Sequence, residues 1–254
     1  MSPDSRNGGA ASGTTVVLVP AYNESAAIGR VVQEARAVCP ALPILVLDDC
    51  STDDTANLAE RTGAEVVRLP CHLGLGGCIQ TGYRMAFEMG VRAAVRIDGD
   101  GQHDPADIPR LLERLEASGC EMVIGVRAAG SNSTSTGLIR RIGIWFFKLL
   151  LRPILGRRVT DPTSGFVAVN RRALHVFSQS FPLEYPEIET LVVLQRRAFR
   201  FEEVPVRMRP RMGGRSSITA KASIFFVVHV LLGVLVNILR LDAWRLRRRA
   251  GRRG

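Results

Sequence analysis

The stretch Val95–Pro105, with the sequence VRIDGDGQHDP, decides how the rest of the chain is interpreted. An apolar run ends there in two carboxylates spaced i, i+2, and because side chains alternate in an extended segment, Asp98 and Asp100 are expected to project to the same side. Gly99 leaves the backbone bare between them, so a ligand can approach closely. Two carboxylates and the amide oxygen of Gln102 are ligands that suit Mg²⁺ or Mn²⁺. The stretch therefore predicts a divalent cation site at the end of a buried strand.

Two other interpretations of this stretch are weaker. A calcium loop of the EF-hand type also begins with Asp-x-Asp, but it needs glycine at its sixth position and glutamate at its twelfth. Those positions hold His103 and Pro109, so the EF-hand interpretation fails. A turn with an acidic cap accounts for Asp104 and Pro105 as the start of a helix. It gives the two earlier carboxylates no role.

Short β-branched runs alternate with amphipathic segments along the chain, and Pro20 is expected to end the first strand. The predicted strands cover residues 16–19, 44–47, 65–69, 93–97, 122–126, 167–169 and 203–206. The predicted helices cover residues 28–38, 55–61, 77–89, 105–118 and 187–197. Strands and helices that alternate through short connections imply an α/β fold with a mainly parallel sheet covered on both faces.

Three of the predicted strands end in loops that carry acids or prolines. These loops cover residues 20–24, 48–54 and 98–104. Open α/β sheets bind their ligands beyond the carboxyl ends of the strands. Three such loops at one edge predict a single cleft, and their co-location is stronger evidence than any one motif.

Composition and charge narrow the class of protein. The chain has 254 residues, 46% of them hydrophobic, and a net charge of +10. Seven arginines and one acid lie between Arg240 and Gly254, so six of the ten net charges are in this tail, which favours anionic lipid. Only 6% of residues are aromatic, too few for a base-stacking platform, so no nucleic-acid partner is expected.

The five cysteines include no CxxC pair, which indicates reduced thiols in a cytosolic setting. Residues 1–13 are polar and are expected to be disordered.

Two apolar segments indicate contact with a membrane. Residues 140–152 are bulky and apolar, flanked by arginines, with Trp145 in the middle; they suit an interfacial helix or, equally, a helix packed on the core. Residues 222–239 carry no charge and would span roughly 27 Å as a helix, marginal against about 30 Å of hydrocarbon. This second segment is expected to cross the membrane or lie in its cytoplasmic interface, the alternative being a buried soluble helix. Residues 219–254 are therefore predicted to be a membrane-associated helix and arginine-rich tail.

The loop sequences resemble those of family 2 glycosyltransferases, and more narrowly the dolichol-phosphate mannose synthase-like branch that glycosylates polyprenyl phosphates. The matching motifs are VPAYNE at 19–24, LDDCSTDDT at 47–55, IDGDGQH at 97–103, TSGF at 163–166, EVPV at 203–206 and RMGGRSS at 211–217. The resemblance covers roughly residues 15 to 218. It implies a GT-A fold over residues 14–218, a nucleotide-diphospho-sugar donor and Mg²⁺ or Mn²⁺ as cofactor.

The resemblance also implies a role for individual residues. The nucleotide sugar would be bound by Pro20, Ala21, Tyr22, Glu24, Asp48, Asp49, Asp98, Gly99, Asp100 and Arg211. Asp98 and Asp100 would be catalytic and, with Gln102, would hold the metal. Acceptor and phosphate binding would involve Arg127, Arg141, Ser164 and Ser217. GDP-mannose as donor is not implied, because loop 72–77 lacks the lysine of a Gly-Lys-Gly step and Ser217 replaces a lysine of mannose synthases.

The acceptor type is left open. Family 2 enzymes invert, and a lipid phosphate is already an anion that needs positioning more than a base. A hydroxyl of a lipid-linked or cell-envelope saccharide would need a general base, for which Glu187 is the candidate.

A non-catalytic, membrane-associated nucleotide-sugar-binding protein is a remote alternative to an enzyme. A dinucleotide-binding dehydrogenase is not supported, because the third glycine of its fingerprint falls at Ile79. The membrane surface at the cytoplasmic face is an expected partner, with a small membrane protein or a second copy as further candidates.

Overall fold

The computed structural model describes residues 14–127 and 159–211. The strands are β1 Thr15–Ala21, β2 Ile44–Asp48, β3 Glu65–Arg68, β4 Ala93–Arg96, β5 Met122–Arg127, β6 Val167–Asn170 and β7 Phe201–Val206. The helices are α1 Ile28–Val38, α2 Thr55–Arg61, α3 Gly74–Glu88, α4 Ile108–Ser118, α5 Arg171–Gln179 and α6 Pro186–Arg196, with a short 3-10 turn at Pro105–Asp107.

The described strands form one sheet in the order β3-β2-β1-β4-β6-β5-β7. Neighbouring strands are parallel except where β6 lies between β4 and β5, antiparallel to both. The prediction of a mainly parallel α/β sheet is therefore confirmed. Because β6 runs in the opposite direction, the turn that precedes it reaches the edge at which β1, β2 and β4 end.

Both faces of the sheet are buried, as expected for strands that alternate with helices. Leu18 of β1 packs in the core beneath α3 and α5, with Tyr83 and Phe177. Val17, on the opposite face, packs with Ile28 of α1 and with α4. The alternation of the two sets along β1 follows the two-residue repeat of a strand.

Three local predictions need correction. Pro20 does not end β1: it continues the strand, opposite Leu47 of β2. Proline lacks an N–H, but its carbonyl still accepts a hydrogen bond from the Gly99 N–H at 3.3 Å. Helix α3 starts at Gly74 rather than Gly77, so the glycine-rich loop is its first turn. The sequence analysis also missed α5, whose start is capped by the Asn170 side chain accepting from the Ala173 N–H at 3.0 Å.

The predictions for residues 1–13, 140–152 and 219–254 lie outside the described residues. Among residues 14–127 and 159–211, no helix is both long and apolar enough to cross a membrane. The membrane-associated helix at 222–239 stays a prediction.

Candidate functional site

The acidic loop leaves β4 and is held by its own backbone. Ile97 is buried and Asp98 follows with 35% of its side chain exposed. The Asp98 N–H donates to Nδ1 of His103 at 3.1 Å, which places the proton of a neutral His103 ring on Nε2. Asp100 is buried, and its Oδ1 accepts from the Gln102 N–H at 2.9 Å. The two carboxylates are thus presented by a hydrogen-bonded turn, not by a loose loop.

The first and third loops are in direct contact, as the sequence predicted. A Cβ on Gly99 would lie 3.2 Å from both the Ala21 Cβ and the Pro20 carbonyl oxygen. Only a residue without a side chain fits here without displacing its neighbours. The predicted ligand-binding residues of β1 and of the acidic loop therefore share one edge.

The loop after β2 completes this edge. Asp48 is buried at the end of β2, and its Oδ1 has no hydrogen-bond partner among the described residues. Asp49 is also buried, with Oδ1 accepting from the Leu73 N–H at 2.7 Å and Oδ2 lying 2.9 Å from Nδ1 of His72. The His72 ring lies 4.2 Å from the exposed Tyr22 ring, between centroids. Asp49 thus holds both the residue before α3 and the His72 ring, which packs against the exposed ring of Tyr22.

Side chains that the sequence analysis did not single out lock the first two loops together. The Asn23 N–H donates to Ser51 Oγ at 2.9 Å, and Asn23 Oδ1 accepts from the Thr52 N–H at 2.8 Å. The Glu24 N–H donates to Thr55 Oγ1 at 2.8 Å. Asn23 has a φ of 53°, a left-handed conformation that asparagine tolerates better than most residues. The asparagine between Tyr22 and Glu24 was the sequence signal for this tight, left-handed turn.

Three carboxylates and one guanidinium converge at the centre of the edge. Arg211 binds Oδ2 of Asp100 through Nε at 2.9 Å and Nη2 at 2.7 Å. The pKa of Glu24 is raised to about 7, chiefly by burial; Arg211 opposes this shift, and the nearby Asp100 and Asp98 add to it. Oε2 of Glu24 is buried without a hydrogen-bond partner in the described chain. With all three acids ionised, the group carries two more negative than positive charges.

This group fits a divalent cation that is shared with a substrate. Among residues 14–127 and 159–211, no three His, Cys, Asp or Glu side chains form a ready-made metal cage. Mg²⁺ sites often need only one or two carboxylates, because water and substrate phosphates supply the other ligands. Asp98 and Asp100 meet that requirement. The ligand role of Gln102 stays a prediction: its backbone N–H binds Asp100, and its carbonyl accepts from the Arg209 N–H at 2.8 Å.

A buried ion pair lies behind the acidic loop. Arg96 of β4 donates through Nε to the Gly165 carbonyl at 2.7 Å and through Nη2 to Oε1 of Glu187 at 3.0 Å. Burial raises the pKa of the Glu187 carboxyl, and the Arg96 guanidinium opposes that effect. Glu187, the predicted base for a hydroxyl acceptor, is thus engaged with a cation.

The predicted acceptor residues are placed only in part. Arg127 is at the carboxyl end of β5, three residues beyond Ile124, which pairs with Val167. Val167 also pairs with Arg96, so Arg127 reaches the same edge as the acidic loop. Ser164 is buried and its hydroxyl donates to the Gly125 carbonyl, which ties the turn before β6 to β5. Arg141 and Ser217 lie outside the described residues.

Comparison with known proteins gives the class that this fold and site define. The chain belongs to glycosyl transferase family 2, whose sequence pattern matches residues 16–177. It is 29% identical to the undecaprenyl-phosphate mannosyltransferase of Micrococcus luteus, over 80% of this chain and 87% of that protein. It is 28% identical to the UDP-N-acetylglucosamine–dolichyl-phosphate N-acetylglucosaminyltransferase of Methanococcus voltae, over 75% and 84%.

A solved structure supports the same assignment. The glucosyl-3-phosphoglycerate synthase of Mycobacterium tuberculosis, in complex with Mn²⁺, uridine diphosphate and phosphoglyceric acid, aligns with a TM-score of 0.60 and 26% identity. The alignment covers 80% of this chain and 72% of that one. The predicted family and the prediction that the chain is a glycosyltransferase are confirmed. The α/β fold with a mostly parallel sheet matches GT-A glycosyltransferases.

Proposed function

We propose that the chain transfers a sugar, with inversion, from a nucleotide-diphospho-sugar to a polyprenyl phosphate at the cytoplasmic face of a membrane. The observation that carries the proposal is the charge group of Glu24, Asp98, Asp100 and Arg211 where three loops meet. Its excess negative charge suits a cation bound together with a diphosphate. Relatives named for undecaprenyl-phosphate and dolichyl-phosphate acceptors support the lipid phosphate.

The donor would be bound across the three loops. Tyr22 and the buried pair Asp48 and Asp49 would contact base and ribose, because they lie at the adjoining carboxyl ends of β1 and β2, where Ala21 pairs with Asp48. Asp98 and Asp100 would hold Mg²⁺ or Mn²⁺ with Gln102. When bound, this cation neutralises negative charge that develops on the leaving diphosphate. Arg211 is close enough to Asp100 to turn to that same diphosphate, which suits its two-pronged donor geometry.

The acceptor oxygen would attack C1 of the sugar on the side opposite the diphosphate. The bond from C1 to the diphosphate oxygen breaks as the bond to the acceptor phosphate forms, and the nucleoside diphosphate leaves. A phosphate monoester is ionised at neutral pH, so no proton has to be removed. Arg127 at the end of β5 would orient the acceptor phosphate, with Arg141, Ser164 and Ser217 as further predicted contacts.

The main alternative is a hydroxyl acceptor, with Glu187 as general base. The hydrogen bond from Arg96 to Glu187 favours the phosphate acceptor, because it occupies Oε1 of the carboxylate that would have to take the proton of a hydroxyl acceptor. The membrane location is proposed from the apolar segments 140–152 and 222–239 and the arginine tail. A small membrane protein or a second copy of the chain stays a proposed partner.

One experiment tests the proposal. Membranes that contain the full-length protein are incubated with Mn²⁺ and a panel of radiolabelled sugar nucleotides, and the label in the lipid extract is measured. We expect one donor to label a lipid that is cleaved by mild acid, and Asp100→Asn to abolish the labelling. Label in a polymeric saccharide and not in lipid would favour the hydroxyl acceptor. No transfer from any donor would contradict the proposed activity.

A further inference from the structure

Arg96 is a buried cation directly behind the acidic loop. Only 3% of its side chain is exposed, and a charged side chain is almost never this buried without partners. Its two partners are distant in sequence: Gly165 is 69 positions away and Glu187 is 91 positions away. Arg96 therefore joins β4, the turn before β6 and the first turn of α6. Of these segments, the turn before β6 lies directly against the side chain of Asp98.

Gly165 connects Arg96 to Asp98. A Cβ built on Gly165 would lie 2.8 Å and 2.9 Å from the two carboxylate oxygens of Asp98, and 3.0 Å from Nη2 of Arg96. The Gly165 backbone thus lies against the carboxylate while its carbonyl is held by Arg96. A shift of this turn would change the space that the carboxylate occupies.

The other contacts of Asp98 leave its carboxylate orientation to this turn. The Asp98 N–H is fixed by Nδ1 of His103, which holds the backbone. Because that nitrogen accepts a hydrogen bond, its distance of 3.6 Å to Oδ2 of Asp98 does not make it a donor to the carboxylate. Among residues 14–127 and 159–211, packing against Gly165 is the contact that limits where the carboxylate points.

We propose that Arg96 is a positioning residue for Asp98 and that Glu187 is its counter-ion. This inference rests on the proposed function, in which Asp98 holds the cation of the donor. The guanidinium fixes Gly165, and Gly165 fixes the carboxylate. Glu187 neutralises the charge that must be buried for this purpose. Loss of a residue that supports a metal ligand typically weakens metal binding by about 10- to 100-fold.

The first test uses Arg96→Lys in the full-length protein. Lysine keeps the positive charge for Glu187 but lacks the planar fork that reaches two partners at once. The dissociation constant for Mn²⁺, alone and then with uridine diphosphate, is measured from the electron paramagnetic resonance signal of the free ion. We expect Arg96→Lys to weaken binding by about tenfold. The control is Arg92→Lys, four residues earlier, whose exposed pair with Glu116 should leave the constant unchanged.

A second variant separates positioning from folding. Arg96→Met with Glu187→Met replaces the buried ion pair by apolar side chains, a change that is often neutral or stabilising. We expect the melting temperature to stay near that of the wild type while Mn²⁺ binding remains about tenfold weaker. Wild-type Mn²⁺ affinity in this double variant, or in a folded Arg96→Lys protein, would overturn the inference. A wild-type protein that binds no Mn²⁺ at all would instead overturn the proposed function, and the role of Arg96 with it.

Discussion

Arg211 binds a single oxygen of Asp100 with two nitrogens. Nε and Nη2 lie 2.9 Å and 2.7 Å from Oδ2, while Oδ1 accepts from the Gln102 N–H. Both oxygens of this proposed metal ligand are therefore engaged before any cation arrives. The guanidinium also lowers the pKa of Glu24 against the effect of burial, so it offsets part of the surplus negative charge.

The first prediction concerns the competition between Arg211 and the cation. Without nucleotide, Arg211→Met should strengthen Mn²⁺ binding by roughly tenfold, because the competing cation is removed. This gain is only a part of the interaction energy of about 4 kcal/mol between two unit charges 4 Å apart near a protein surface. With a nucleoside diphosphate present, the same variant should weaken binding of the metal–nucleotide pair, because the arginine is then needed by the phosphates. Titration calorimetry with Mn²⁺, with and without uridine diphosphate, measures both effects.

Arg209 supplies the control for this experiment. It is exposed to a similar degree, 31% against 33%, but it pairs with Glu34 and Asp104 outside the acidic group. Arg209→Met should change neither constant by more than about twofold, within the uncertainty of surface pairs. An Arg211→Met protein that binds Mn²⁺ as the wild type does, with and without nucleotide, would show that the Asp100 contact has no bearing on metal binding.

The sequence predicted the parts of the fold that depend on local pattern. Strand and helix periodicity indicated the alternating order up to β5, and helix α2 lies over the predicted residues 55–61. The direction of β6 could not be predicted, because a run such as Val167–Val169 has the same hydrophobicity in either direction. Helix α5 was missed although its signals were present: Asn170 as a cap, followed by buried positions three, four, six and seven residues later.

The candidate site shows the same division. The common position of the acids in the three loops could be predicted, because each loop follows a strand end. Arg96 was missed, because a charged residue in an apolar run gives no hint of partners that are 69 and 91 positions away. Gly165 was quoted only as part of a motif. Its contact with Asp98 depends on the antiparallel course of β6, which brings the turn to this edge.

The second prediction concerns the pH dependence of stability in metal-free protein. Burial raises the pKa of Glu24 from 4.5 to about 7, with Asp100, Asp98 and Asp53 adding to the shift and Arg211 opposing it. Between pH 4.5 and 7 the folded chain then holds a proton that the unfolded chain has lost. The bound proton stabilises the folded chain, and this contribution to the free energy of unfolding is lost as the pH rises through 7. Glu24→Gln should therefore melt at a less pH-dependent temperature between pH 5 and 8, and should exceed the wild type at pH 8.

Thermal melts in buffers that contain a chelator measure this effect. Glu34→Gln is the control: although burial raises the pKa of Glu34, hydrogen bonds from Arg30 and Arg209 lower it below 4.5 overall. From pH 5 to 8, Glu34 is ionised in both the folded and the unfolded chain. Its replacement should therefore leave the slope of melting temperature against pH unchanged. If the Glu24→Gln protein keeps the wild-type slope, Glu24 is not the titrating group.

The third prediction tests the membrane location. Truncation after Thr219 removes the apolar segment and the arginine tail, so we expect the protein to leave the membrane pellet while it still binds nucleotide. Truncation after Leu239 keeps the apolar segment and removes only the tail, whose arginines contribute about 1 kcal/mol each near an anionic surface. This shorter deletion should stay in the pellet at high salt. If the Thr219 truncation also sediments after a high-salt wash, residues 140–152 become the next candidate for the anchor.

The last prediction concerns the space beside Asp98. In Gly165→Ala, the new methyl group would lie within 3 Å of both carboxylate oxygens, closer than real Cβ atoms approach other atoms. The Asp98 side chain is 35% exposed, so the carboxylate can turn away. We therefore expect the melting temperature to fall little while turnover drops by about tenfold or more, as is typical when the support of a metal ligand is lost. Gly29→Ala is the matched control. Its methyl group would make an ordinary contact of 3.7 Å with Thr62, and alanine in a helix is favoured over glycine by about 0.5–1 kcal/mol. That control should be as active as the wild type and slightly more stable.

Wild-type turnover in Gly165→Ala would mean that the carboxylate of Asp98 can serve the reaction from a second orientation. The proposed positioning of Asp98 by Arg96 through Gly165 would then be wrong.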